Sequence, residues 1–143
     1  DEPTTALDVT IQAQIVNLIE KLKIQYNMSI IWITHDLGLL AGLADRIIVM
    51  YAGRIMEEAN VTEIYENPKH PYTKALLEST PDLNDNSQDK LKNIDGYPPD
   101  MTKEIIGCPF YNRCFYKQNI CFQTNPALRQ LSTKHKIACH IDI

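Results

Sequence analysis

Asp1-Glu2-Pro3-Thr4-Thr5-Ala6-Leu7-Asp8-Val9 opens the chain on two adjacent carboxylates. At the carboxyl end of a buried strand, Asp1 would hold Mg²⁺ through water, and Glu2 would face the terminal phosphate of a nucleotide as base for the attacking water. Taken alone, an acidic pair is more often a solvated terminus or a helix start. The residues that follow sharpen the choice. Ile11, Ile15, Val16, Ile19 and Leu22 recur at helical spacing from Val9 to about Tyr26, with Gln12, Gln14, Asn17, Glu20, Lys21 and Lys23 on the polar side. Asp8 is placed to cap this helix and Asn27 to end it. Ser29 to Ile33 is apolar without alternation, the pattern of a parallel strand covered on both faces, so strand, helix and strand imply a parallel α/β sheet.

His35 stands directly after that expected strand, where active residues of open α/β sheets gather. A lone histidine there is otherwise a surface or capping residue. Thr34 precedes it, and Asp36 can cap a short helix over Leu37 to Ala44. With the acids, the stretches DEPTTALDV and IIWITHDLGLLAGLADRIIVMYAGRIMEE resemble the ATPase subunits of ABC transporters: the end of the Walker B strand, the D-loop, and the switch histidine after the next strand. PKHPYTKALL (68–77) and GCPFYNRC (107–114) narrow the resemblance, which covers nearly the whole chain, to subunits serving dipeptide, oligopeptide and nickel importers.

The resemblance implies Mg-ATP as substrate, with His35 touching the γ-phosphate and holding Glu2 and the attacking water in place. It makes Ala6, Leu7 and Asp8 the D-loop, whose backbone contacts a second ATPase subunit, identical or not. It also implies two membrane permease subunits, an extracellular or periplasmic peptide-binding protein, and a peripheral place on the cytoplasmic face of the cell membrane. The alternative is a metal-stabilised interaction or regulatory module without catalysis, its N-terminal acids inert.

Composition bounds these readings. The 143 residues suffice for one modest core and an appendage. A net charge of -4 and the lack of any basic cluster argue against nucleic acid as partner. The apolar run from Met28 to Ile33 is far short of the roughly 20 residues that cross a bilayer, and no signal peptide is visible. The sequence contains neither a GxxxxGK[ST] phosphate loop nor an LSGGQ-type signature. The expectation is therefore the C-terminal part of a longer ATPase, inactive by itself.

Beyond the first helix-and-strand unit, Arg46 to Tyr51 and Arg54 to Glu58 meet at Ala52-Gly53 and read as a hairpin. Asn60 or Thr62 would cap a short helix to Tyr65, Asn67-Pro68 would end it, and Pro71 would start another to Glu78. The polar stretch from Pro81 to Lys90 places a domain boundary between 1–80, the ATPase part, and 81–143, a linker with a small irregular cysteine-rich domain. Cys108, Cys114, Cys121 and Cys139 have five, six and seventeen residues between them. Structural zinc sites usually offer ligands two to four residues apart, whereas thiolates on looser loops can surround a cubane. The resemblance implies a [4Fe-4S] cluster on these four, with zinc second and disulfides third; His135 and His140 keep a mixed zinc site open. Arg113 is expected to offset thiolate charge, and Phe110, Tyr111, Phe115, Tyr116 and Phe122 to form a dry shell.

Overall fold

The computed structural model describes residues 1–80 and 93–143, which fall into two compact units, Asp1–Leu43 and Ala44–Ile143. The first unit holds α1 (Val9–Tyr26) and α2 (Leu37–Leu43). Both ends of α1 are set by the expected residues. Asp8 Oδ1 accepts from the amides of Thr10 and Ile11, each at 3.0 Å, and Asn27 ends the helix in the left-handed region at φ 50°. No residue of α1 is fully buried within the unit.

Among the described residues no parallel sheet is found, which corrects the expectation. Residues 29–33 form no strand, and Ile31 is 90% exposed. An apolar run of this kind becomes a strand only with neighbours to complete its ladder. Among the described residues of this unit there is no strand for it to pair with; Glu2 N donates to Ile33 O at 2.7 Å.

The described sheet lies in the second unit and is antiparallel throughout, with strand order β1-β2-β4-β3: β1 (Arg46–Tyr51), β2 (Arg54–Asn60), β3 (Arg129–Ser132) and β4 (His135–Ile137). The hairpin forms as its sequence dictates. Ala52 and Gly53 both take positive φ, 48° and 73°, the pair of left-handed residues that a tight two-residue hairpin turn requires. A register shift at Val49/Met50 turns the adjacent residues Met56 and Glu57 inward together. α3 (Val61–Glu66) and α4 (Pro71–Glu78) follow, the latter with Pro71 in its first turn, where a missing amide costs nothing.

β4 pairs Glu57 with Ile137 and Ala59 with His135, so the cysteine-bearing segment continues the hairpin's sheet and is no separate irregular body. The boundary expected after Thr80 falls at residues outside the described ones. Around Tyr51, Met56 and Phe110 the unit builds an aromatic core, with Tyr51–Tyr72, Tyr72–Phe110 and Tyr51–Phe110 centroids 4.6, 5.2 and 5.4 Å apart. Arg113 does not serve thiolates. Its guanidinium donates to Ile94 O, Asp95 O and Tyr51 Oη, tying the 93–96 segment to the core.

Candidate functional site

Within the first unit, the residues read from sequence as catalytic come together. A tight turn over Pro3 to Ala6, with Thr5 N bonded to Glu2 O and Leu7 N to Thr4 O, sets the carboxylate of Glu2 beside the loop that leaves residue 33. Glu2 Oε1 lies 3.0 Å from His35 Nδ1 across 33 residues of chain, and Glu2 Oε2 accepts from Thr5 Oγ1 at 2.9 Å. A carboxylate only accepts, so Nδ1 is the donor in this contact. The hydrogen bond from His35, then that from Thr5, holds the Glu2 carboxyl below its ordinary range, and at neutral pH it is ionised. Both side chains stay open to solvent, 76% for His35 and 45% for Glu2.

The backbone at this site is held in sparsely populated conformations. Glu2 and Ala6 take φ of 40° and 65°, the left-handed region that costs a non-glycine residue on the order of 1–3 kcal/mol. Ala6, Leu7 and Asp8 are exposed. On the far side of His35, Thr34 Oγ1 accepts from Asp36 N at 3.0 Å and Asp36 Oδ1 from Leu39 N at 3.3 Å, which caps α2. Asp36 Oδ2 accepts from Gln12 Nε2 at 3.1 Å. Gln12 was assignable to the polar side of α1 by spacing, yet it lies on the half-buried face with Ile15, Val16 and Ile19. Only its place one turn after the cap hints at this.

In the second unit, all four cysteines line one cavity of about 10 Å³ together with His70, Phe110 and Tyr111. The approach is close: Cys108 N donates to Cys121 O at 2.8 Å, and a Cβ on Gly107 would lie 2.4 Å from the carbonyl oxygens of Cys121 and Phe122. The expectation of an iron–sulfur cluster is nonetheless corrected, because among the described residues no group of three or more His, Cys, Asp or Glu could hold a metal ion. Zinc finds no support for the same reason. All four thiols are free, so the disulfide alternative is not met either. The space between them is about that of one water. Burial pushes the Cys108 thiol up to about 11 and raises Cys114 and Cys139 as well, with the neighbouring thiols adding to the effect. Protonated and packed, they behave as small apolar side chains. Of the expected dry shell, Phe110 is 2% exposed, but Phe115 and Phe122 are 95% and 67% exposed.

A buried polar network adjoins this cavity, and no sequence signal marked it. Glu57, fully buried, accepts from Lys69 N at 2.6 Å and His70 N at 3.0 Å and pairs with His135 Nε2 at 2.7 Å. His135 therefore serves the sheet and not a metal. His70 caps α4 through Nδ1, which accepts from Tyr72 N, while its buried Nε2 has no hydrogen-bond partner. His140 Nε2 bonds Thr124 O at 2.9 Å.

Residues 56–121 match the family model described as oligopeptide/dipeptide transporter, C-terminal region. The chain is 47% identical over 139 residues, 97% of its own length and 42% of the relative's, to a probable peptide ABC transporter ATP-binding protein of Sinorhizobium fredii. It is 48% identical over 137 residues to the oligopeptide transport ATP-binding protein OppD of Bacillus subtilis, covering 96% of this chain and 38% of that one. To the dipeptide transport ATP-binding protein DppD of Haemophilus influenzae it is 47% identical over 140 residues, 98% of this chain and 42% of that one. The chain thus spans about two fifths of the length of the curated relatives it matches.

Proposed function

We propose that this chain, which belongs to the ATP-binding proteins of peptide ABC transporters, carries the water-activating part of an ATP-hydrolysing site that drives peptide uptake. The observation that supports this most is the 3.0 Å contact between Glu2 and His35, two groups 33 residues apart with no part in any core. An ionised carboxylate can take a proton from water. His35 holds that carboxylate through Nδ1, and only an N–H at Nε2 could meet a phosphate oxygen, so that orientation and proton acceptance are divided between two side chains.

The acids suit a hard divalent cation: Asp1 would hold Mg²⁺ through water beside the phosphates, where the ion neutralises their charge. Ala6, Leu7 and Asp8, exposed just before α1, are the proposed contact to a second ATPase subunit. Two permease subunits and a peptide-binding protein complete the proposed transporter. Among the described residues no helix is long and apolar enough to cross a membrane, which agrees with a peripheral place under the permease. By itself the chain is proposed to be inactive, since its sequence contains no phosphate loop.

The test is His35→Ala in the full-length protein. Steady-state hydrolysis should fall at least about 10-fold, while Mg-ATP affinity by calorimetry stays within about twofold. An unchanged hydrolysis rate would return His35 to a surface role.

A further inference from the structure

Asp36 stands next to His35, and both its carboxylate oxygens are engaged, Oδ1 by the amide of Leu39 and Oδ2 by the side-chain amide of Gln12. Gln12 sits one turn into α1, its own amide bonded at 2.9 Å to the carbonyl oxygen of Asp8, the residue that caps that helix. Only 3.2 Å would separate a Cβ on Gly38 from Asp36 Oδ1, so a glycine there leaves the carboxylate its room. Thr34, His35 and Asp36 are therefore pinned at both ends, by the Thr34 hydroxyl on Asp36 N and by Gln12 reaching from a different element.

We infer that Gln12 is a positioning residue for hydrolysis: it ties α1, and the segment of Ala6 to Asp8 that feeds it, to the loop that holds His35 against Glu2. This rests on the reading of Glu2 and His35 given above. Gln12 touches neither of those side chains. Its loss leaves Asp36 Oδ2 without its donor in a half-buried place and frees the carboxylate to swing. A displacement of His35 by a fraction of an ångström breaks its 3.0 Å contact with Glu2, and misplacement on the scale of 1 Å can cost about 10²-fold in rate. Ground-state binding of the nucleotide does not pass through Gln12, so turnover should carry the loss.

In the full-length protein, Gln12→Ala should lower kcat at least about 10-fold and leave KM for Mg-ATP within about twofold. Gln12→Glu opposes two carboxylates and should do at least as much damage. Adding Asp36→Asn to Gln12→Glu reverses donor and acceptor while an asparagine still caps α2, and should restore most of the turnover. Wild-type kcat in Gln12→Ala overturns the inference. So does a loss of kcat that the double variant fails to recover, or one that merely follows a thermal midpoint fallen below the assay temperature. Glu2→Gln and His35→Ala in the same assay separate the two levels. If both are impaired and Gln12→Ala is not, only the positioning role fails. If both hydrolyse like wild type, the reading of the pair fails and takes this inference with it.

Discussion

At the scale of single residues, burial decides which charges are carried. His70 is 1% exposed, and burial lowers its pKa to about 4, with the negative charge of Glu57 opposing the shift only in part. Its folded-state pKa lies below the unfolded value near 6.5, so the unfolded chain takes up the proton first as pH falls. The neutral ring's contribution is fully present above about pH 6.5 and is lost on the way down to about pH 4, on the order of 3 kcal/mol over that window. His70→Asn keeps a capping side chain for α4 but has nothing to titrate. Urea unfolding at several pH values should therefore show the wild type losing stability between pH 6.5 and 4 by more than the variant; parallel losses would mean that the ring is not held neutral. The sequence names His70 without marking it, because a histidine between Lys69 and Pro71 carries no periodicity that separates cap from surface. Glu57 is hidden for a related reason: only the register shift at Val49/Met50 explains why a charged residue faces inward beside Met56.

At the scale of elements, local chemistry was the most legible. The Asp8 cap, the Asn27 exit, the Ala52-Gly53 turn and Pro71 each rest on side-chain or φ constraints that neighbours cannot override, and each sits where the sequence puts it. Asp8→Ala should cost α1 about 1 kcal/mol, read as a faster amide exchange through its first turns; unchanged protection would remove the cap from the account. What the sequence misjudged depended on distant partners. Ser29 to Ile33 has strand composition but no partner strand among the described residues of its unit, and β3 and β4 are too short to be seen until β2 supplies a ladder. Gly107 shows the same dependence. It admits the backbone of Cys121 and Phe122 at a distance that no Cβ tolerates, so Gly107→Ala should destabilise the second unit by roughly 1–3 kcal/mol or more in thermal unfolding. A wild-type midpoint would show that the crossing relaxes.

At the scale of the whole molecule, the candidate site was legible where it depended on neighbours in sequence plus one long-range contact. The sequence singles out the acids and His35, and the structure sets Glu2 beside His35, whereas Gln12 is hidden by its polar side chain. The cysteines show the opposite outcome. Their spacing suggests ligands, and they do meet, yet around a space of about 10 Å³ in which the thiols are free. The chain spans about two fifths of its relatives, and its sequence holds no phosphate loop. Isolated, it should therefore bind Mg-ATP no better than about millimolar by calorimetry, and binding at micromolar or below would mean that the phosphate site lies elsewhere in this sequence. The claim on which the rest depends is that Glu2 activates the attacking water. Its most direct test is single-turnover hydrolysis by the full-length protein carrying Glu2→Gln: ATP should bind as in the wild type and be cleaved at least about 10²-fold more slowly, whereas cleavage at the wild-type rate would contradict the account.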